Sequence, residues 1–343
     1  MKKKSHDATK PPLLGLVLSG GGAQGAYQAG AIKALVEAGL RFEVISGVSI
    51  GALNGLMVAQ GMIKEMEHTW MTLSRMQLIG VNTIPGLLFS RGISLLGDQL
   101  QRDLIEKFID IDYLQSKGTE LITSAVSLQT GRVTYFSTKK VKNKDLLKKM
   151  LLASCAIPGI FPPVEIEKEQ FIDGGLLNNT PVEVLLKRKL NHIVVISMEP
   201  KSFGQDQLKT VAEIALRSTS IFFKAQVERS EAQWQRAKKE SLVGKKLEDY
   251  FKKKGKSKIH SLFYEKAKKE IFSILKKEMP YLQKEVARLH FVRPQGNLII
   301  QQYDFDSKKI PYTFELGYLD GQKFLAKNRG LFSVGKIGYQ NVV

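Results

Sequence analysis

The sequence predicts an α/β fold in which a mostly parallel sheet is covered by helices on both faces. Short apolar runs rich in β-branched residues alternate with longer segments of helical periodicity, and glycines stand at the first two strand-to-helix junctions. The chain has 343 residues, enough for one large domain or two small ones with a buried core.

The predicted strands are separated by helical or loop sequence. They are expected at residues 13–19, 42–46, 121–126, 133–137 and 192–198, with a further candidate at 298–302. Helical patterns follow the first two strands, over residues 26–38 and from about Leu53. Residues 210–290 predict long helices, because apolar side chains recur there at three- and four-residue steps. Pro280 is expected to kink or break the last of them.

The net charge of +19 is concentrated in one region. Residues 201–290 contain 22 Lys and Arg against 11 Asp and Glu. Such an excess indicates solvated helix faces, an anionic membrane surface or nucleic acid. No zinc-finger or RNP pattern accompanies it, so a membrane is preferred over nucleic acid, and Lys252, Lys253 and Lys254 are the candidate contacts.

The remaining composition gives no sign of a secreted or membrane-spanning chain. Cys155 is the one cysteine, so no intrachain disulfide is possible, which fits a reducing compartment. The basic N-terminus lacks an apolar segment behind it, and no run of about 18 apolar residues occurs. A cytoplasmic protein, with peripheral membrane association, is therefore expected.

The first candidate site is the glycine-rich loop at residues 20–25, Gly-Gly-Gly-Ala-Gln-Gly, between a strand and a helix. Backbone N–H groups at such a helix start can hold a phosphate or the oxyanion of an acyl-transfer intermediate. Gly20, Gly22 and Gly25 also match the dinucleotide pattern G-x-G-x-x-G. A tight turn without a ligand is a further interpretation.

The second candidate site is Gly47-Val48-Ser49-Ile50-Gly51, again between a strand and a helix. Gly47 and Gly51 permit the sharp turn that exposes a serine hydroxyl above a sheet. Ser49 is therefore a candidate nucleophile.

The third candidate site is Asp173 followed by Gly174 and Gly175, after an apolar pair. An aspartate in this context is by itself most often a turn former. Beside a nucleophilic serine it becomes a candidate base. The order Ser49, Asp173, His290 also matches an α/β-hydrolase triad, but such a serine normally follows several earlier strands, and Ser49 follows only the second.

The three sites together resemble the patatin-like phospholipase family. Residues 153–163 resemble its proline-rich block before the catalytic aspartate, and Asn179 and Pro181 resemble its continuation. The resemblance extends over about residues 14–198 and is weak after Lys201. It departs from the family at Gln24, where the family usually has Arg or Lys.

This resemblance implies a three-layer α/β/α sandwich with a mostly parallel central sheet and a Ser–Asp dyad without histidine. Ser49 and Asp173 would form the dyad, and the oxyanion hole would come from the loop. The predicted donors are Gly20, Gly21, Gly22 and Ala23. The implied activity is release of fatty acids from lipid esters, as in a phospholipase A or lysophospholipase.

The same interpretation predicts how the chain is organised and what it binds. A disordered tail is expected at 1–11, the catalytic core at 12–200, a basic helical region on or over the core at 201–290, and a completing strand and helix with a tail at 291–343. The predicted partner is a lipid ester at an anionic membrane surface. No cofactor, metal ion or nucleic acid is expected.

Two rival functions remain open from the sequence. A nucleotide-binding oxidoreductase would use the glycine loop, with Glu43 about 20 residues on as a ribose-binding acid, but it leaves Ser49 unexplained. A catalytically silent lipid- or protein-binding module would fit the unusual Gln24.

Overall fold

A computed structural model describes residues 12–73, 98–141, 143–204, 207–254, 261–302 and 304–329 of the chain. The tails predicted at 1–11 and at the C-terminus beyond 329 lie outside the described residues.

The described strands form one mixed sheet with the order β5-β6-β3-β2-β1-β7-β8, and β4 also pairs with β3. They are β1 (Leu14–Leu18), β2 (Val44–Gly47), β3 (Glu120–Ser127), β4 (Val133–Ser137), β5 (Val164–Ile166), β6 (Glu169–Asp173), β7 (His192–Ile196) and β8 (Arg288–Val292). The five strands from β3 to β8 along this order are parallel. Strands β4, β5 and β6 add antiparallel pairings. The sheet is thus parallel over most of its width, as expected.

The described helices cover this sheet on two sides. They are α1 (Gly25–Glu37), α2 (Ile50–Ala59), α3 (Ile63–Leu73), α4 (Gln99–Phe108), α5 (Ile111–Ser116), α6 (Lys144–Ser154), α7 (Val182–Leu186), α8 (Val211–Lys254), α9 (Ser261–Glu278) and α10 (Lys309–Lys327). Leu16 and Leu18 of β1 lie in a core shared with α1, α2, α6 and α10. Val17 between them lies in a second core with α7 and α8. Since successive strand residues point to opposite faces, the three-layer arrangement is confirmed.

The strands predicted in the first two hundred residues are confirmed, with shifts of one or two residues at their ends. Two other expectations are wrong. Helical sequence was expected to reach His290, yet residues 288–292 form β8, which pairs in parallel with β7 and extends the sheet. Residues 298–302 form turns and bends rather than a strand.

Helix α8 is unusually long, at 44 residues. Trp234 and Ala237 near its middle pack on the second core, and Phe251 near its end packs with Phe272 of α9. Helix α9 ends at Glu278, two residues before Pro280, as the proline predicts. None of the helices in the described ranges combines the length and apolarity needed to cross a bilayer.

Candidate active site

Ser49 occupies the sharp turn between β2 and α2. Its φ of 55° and ψ of −127° are unusual for a residue with a side chain. The flanking glycines explain how the turn fits: a Cβ on Gly47 would lie 2.4 Å from the Gly51 carbonyl oxygen, and a Cβ on Gly51 would lie 2.4 Å from that of Leu18. The turn expected from the sequence is therefore present, and the glycines serve close backbone packing.

The backbone of Ser49 is held on both sides by the end of α6. The Ser49 N–H donates to Ser154 Oγ at 3.1 Å, and the Cys155 thiol donates to the Ser49 carbonyl oxygen at 3.4 Å. Both partners are buried. These contacts fix the unusual conformation and give the predicted proline-rich block, in which both partners lie, a structural role.

Strand β3 aligns Asp173 with Ser49. Gly47 at the end of β2 pairs with Thr123, and Asp173 at the end of β6 pairs with Ala125 on the same edge of β3, because β4 occupies the other edge. Ser49 lies two residues beyond Gly47 and so reaches the level of Ala125. The two predicted residues therefore meet along one edge of β3, although they are 124 positions apart in the sequence.

The carboxyl group of Asp173 is buried and has no basic partner among its electrostatic contacts. Burial raises its pKa to about 6, while the Ser49 hydroxyl and the hydrogen bond from the Gly175 N–H act in the opposite direction. The Gly175 N–H lies 2.7 Å from Oδ1 and fixes the orientation of the carboxyl group. A carboxylate with a pKa near neutrality, in contact with a serine hydroxyl, has the properties of a general base.

Two of the four predicted oxyanion donors are already engaged. The Gly20 N–H donates to Asn179 Oδ1 at 3.0 Å, and the Ala23 N–H donates to the Gln302 carbonyl oxygen at 2.8 Å. Within the described residues, the N–H groups of Gly21 and Gly22 donate to no protein atom. The expectation that Gly20 and Ala23 donate to an oxyanion is therefore wrong. Gly21 and Gly22 remain as the candidate donors of the oxyanion hole.

The conformation of the loop depends on glycine at position 22. Gly22 has a φ of +54°, and a Cβ there would lie 2.1 Å from the Gln302 carbonyl oxygen. Gly25, the last glycine of the pattern, instead packs against Ile50 and Trp70 at the start of α1. The loop is thus built for close backbone contacts within the protein.

Gln24 does not line the cavity at Ser49. Its side chain is buried, its amide donates to the Ile300 carbonyl oxygen at 3.2 Å, and it lines a separate small cavity with Glu199. Burial raises the pKa of Glu199 to about 8. The departure from the family at this position therefore changes a neighbouring cavity rather than the surroundings of Ser49.

Two side chains connect the glycine loop to the segment that follows Asp173, here called the aspartate loop. Asn179 donates from Nδ2 to the Gly20 carbonyl oxygen at 3.1 Å, in addition to accepting from the Gly20 N–H. Gln226 of α8 accepts from the Asn179 N–H and donates to the Gly175 carbonyl oxygen at 3.1 Å. Asn179 belongs to a motif that the sequence shows, whereas the role of Gln226 is not predictable, because nothing in a helical pattern marks one glutamine as a partner of a distant loop.

Replacing Asn179 with alanine is expected to lower kcat for ester hydrolysis about 10- to 100-fold with little change in KM, since small displacements of reacting groups have effects of this size. The substitution removes both side-chain hydrogen bonds that hold Gly20. The measurement is steady-state kinetics on a short-chain ester. Asn178→Ala is the control, because that amide contacts Tyr135 and Glu183 instead. Equal kinetics in the two variants would contradict the positioning role.

Six of the predicted site residues line one cavity of about 250 Å³. Ser49, Asp173 and Gly20 to Gly22 form its polar end, and Gly175, Asn179, Thr219 and Gln302 also line it. The other lining residues are apolar: Ile157, Pro158, Leu176, Phe222 and Phe223. A polar end beside an apolar wall suits an ester group attached to a hydrocarbon chain.

The residues invoked by the rival readings lie elsewhere. None of the three histidines within the described ranges lines this cavity, and His6 and His260 fall outside those ranges. The ring of His290 lies against His192, with 2.9 Å between their nitrogens. Glu43 precedes the first residue of β2, whereas the glycine loop follows the last residue of β1. Because β1 and β2 are parallel, the two lie at opposite ends of these strands. Neither the triad nor the ribose-binding acid is assembled.

Comparisons with known proteins agree with this architecture. The model of the patatin-like phospholipase family matches residues 16–186. Lysophospholipase nte1 of Aspergillus terreus is 30% identical over 177 residues, covering 49% of this chain and 11% of that protein. Neuropathy target esterase sws of Drosophila melanogaster is 28% identical over 194 residues, covering 54% of this chain and 13% of that protein. The chain thus spans only about an eighth of these curated relatives.

A solved structure extends the likeness in fold beyond the family match. VipD from Legionella pneumophila aligns with a TM-score of 0.50 and 16% sequence identity, covering 92% of this chain and 67% of that one. At this identity the likeness concerns the fold alone.

Proposed function

Because this chain belongs to the patatin-like phospholipase family, we propose that it is a lipid acyl hydrolase with Ser49 as nucleophile and Asp173 as base. The observation that carries the proposal is the contact between the Ser49 hydroxyl and the buried Asp173 carboxyl group, in a cavity with an apolar wall. The backbone N–H groups of Gly21 and Gly22 donate to no atom of the described residues, and both glycines line the same cavity.

The first step is acylation of Ser49. Asp173 takes the hydroxyl proton as Oγ forms a bond to the ester carbonyl carbon, and the carbonyl electron pair moves onto its oxygen. The N–H groups of Gly21 and Gly22 stabilise this negative charge; one such donor contributes about 3 kcal/mol to the transition state in related chemistry. Collapse breaks the bond to the alcohol oxygen, which leaves with the proton from Asp173.

The second step is hydrolysis of the acyl-enzyme. Water gives a proton to Asp173 while its oxygen bonds to the acyl carbon, and the same two N–H groups stabilise the second oxyanion. Collapse then breaks the bond to Ser49 Oγ, which recovers the proton from Asp173. A fatty acid leaves and the free enzyme is restored.

The substrate class that we propose is a phospholipid or lysophospholipid. Relatives named as a lysophospholipase and a neuropathy target esterase support it. The cavity also supports it, because Ile157, Leu176 and Phe223 offer an acyl chain an apolar wall next to Ser49. We propose that the protein meets this substrate at a membrane surface.

The proposal predicts fatty acid release from vesicles that contain phospholipid, lysophospholipid and neutral ester lipid. Mass spectrometry of the released acids and remaining lipids identifies the esters that are consumed. A serine-directed phosphonate should stop the release and modify the tryptic peptide spanning residues 42–64 at Ser49.

Fragmentation of that peptide provides an internal control, because it also contains Ser46, which is buried in β2. Modification of any serine other than Ser49, with loss of activity, would refute the assignment of the nucleophile. Absence of both hydrolysis and labelling would favour the silent binding module.

A further inference from the structure

The first turns of α8 present an uncharged, exposed surface beside the candidate active site. At 100° per residue, seven residues between positions 211 and 225 project within an arc of about 120°. All seven are exposed and none carries a charge. These seven residues, here called the α8 arc, are Val211, Ile214, Ala215, Ser218, Ile221, Phe222 and Ala225.

Large apolar side chains dominate the arc. The exposed fractions are 85% for Val211, 52% for Ile214, 52% for Ile221 and 47% for Phe222. Four such side chains close together on one helix form a contiguous apolar patch of the kind that marks an interaction site. Within the described part of the chain, nothing packs over them.

The arc continues into the cavity that contains Ser49. Phe222 both lines the cavity and is half-exposed. Leu176 also lines the cavity and is 41% exposed, and Leu177 beside it is 42% exposed. The cavity therefore has exposed apolar side chains at its rim, contributed by α8 and by the turn after Asp173.

The strongly basic end of the same helix is far from the mouth of the cavity. Lys252 is 30 residues beyond Phe222, which corresponds to about 45 Å along the helix axis at 1.5 Å per residue. Closer to the mouth, Arg217 and Lys224 are engaged with Phe203, at 4.9 and 4.8 Å from its ring centre. Among the described residues, the rim formed by Phe222, Leu176 and Leu177 is thus apolar, and Arg217 and Lys224 flank the arc as cations that contact Phe203.

We propose that the α8 arc, with Leu176 and Leu177, is the surface by which the protein docks on a lipid bilayer. The inference rests on the proposed function, since an acyl ester that must reach Ser49 lies in such a surface. The continuity of the arc with the cavity mouth selects a lipid surface, because the exposed side chains can enter the acyl region while the cavity opens toward the same lipids. Lys252 to Lys254, the contacts expected from the sequence, have a secondary role.

The test compares the double variant Ile214→Ser, Ile221→Ser with the wild type by co-sedimentation with phosphatidylcholine vesicles. Neither residue lines the cavity. The partition coefficient is expected to fall at least about tenfold, because two isoleucine side chains that would insert into the lipid are lost. Wild-type binding should be nearly the same at low and high salt.

Matched controls separate the arc from exposed apolar residues in general. Leu242 and Tyr250, also on α8, are exposed by 53% and 52%, as much as the two isoleucines. The double variant Leu242→Ser, Tyr250→Ser should bind vesicles like the wild type. A third variant, with Lys252, Lys253 and Lys254 all replaced by glutamate, should lose less than threefold on neutral vesicles.

A water-soluble short-chain ester separates this inference from the proposed function. The arc variant should hydrolyse it at the wild-type rate while losing hydrolysis of vesicle lipid. A wild type that binds vesicles through the arc but hydrolyses neither substrate would refute the function and leave the docking surface standing. Unchanged vesicle binding in the arc variant, or a larger loss in the lysine variant, would overturn the docking surface. So would a dimer that the arc substitutions dissociate.

Discussion

The variant Ser49→Ala is expected to lower kcat/KM for fatty-acyl ester hydrolysis by at least about 10⁴-fold, the scale seen when a serine hydrolase loses its nucleophile. Cys155 is the adjacent candidate to replace the hydroxyl, but burial raises the pKa of its thiol well above the usual value, so it stays protonated. The comparison is fatty acid release by the two proteins at equal concentration.

A matched control for this variant is Ser46→Ala, three residues upstream on β2. The Ser46 hydroxyl is buried and has no hydrogen-bond partner among the described residues, so its removal should leave both fold and activity unchanged. The Ser49 variant should also fold normally, because Ser154 holds the backbone N–H of residue 49 rather than its side chain. Residual activity above one per cent of wild type would exclude Ser49 as the nucleophile.

The variant Asp173→Asn is expected to reduce kcat/KM by about 10³- to 10⁴-fold, as a general base is lost. The amide oxygen can still accept the hydrogen bond from Gly175, so the loop geometry should be preserved. In the wild type, kcat/KM should rise with pH through about 6, as the Asp173 carboxyl group ionises. An Asn variant with wild-type rates would remove the dyad from consideration.

The same substitution should increase stability, in the direction opposite to its effect on activity. Folding raises the pKa of Asp173 from 3.8 to about 6, so the folded state is disfavoured once the carboxyl group ionises. The gain in free energy of unfolding should be small near pH 4, grow as the pH rises through 6, and reach about 2 to 3 kcal/mol at pH 8.

Urea unfolding at pH 4 and pH 8 measures this difference. Asp249→Asn is the control, because Asp249 is exposed on α8 and its replacement should change stability equally little at both pH values. If Asp173→Asn did not raise the free energy of unfolding at pH 8, or raised it equally at both pH values, the ionised Asp173 carboxylate would not destabilise the folded state.

The order of strand, glycine turn and helix was predictable because it depends on local sequence. The β5–β6 hairpin was not, since its turn has Glu167 and Lys168 at positive φ, where Asn and Gly are the usual signal. Strand β8 is not distinguishable from helix in the sequence, because Leu289 fits both the helical spacing before it and the alternation of a strand.

The candidate nucleophile and base were predictable because each lies in a short motif. The candidate oxyanion donors were only partly predictable. Which N–H groups are engaged depends on Asn179 and Gln302, which are distant in the sequence and reach the loop only in the folded chain. The role of Gln226 depends in the same way on where α8 crosses the aspartate loop.

The alignment of Ser49 and Asp173 along one edge of β3 sets limits on how this sequence can change length. A one-residue deletion within β6 would turn the aspartate to the other face of the sheet, and a two-residue deletion would move it by about 7 Å. The turn at Glu167 and Lys168 lies at the far end of the hairpin, so insertions there leave the pairing of Asp173 with Ala125 intact. Functional relatives are therefore expected to vary in length at this turn and to keep a constant number of residues from it to the aspartate.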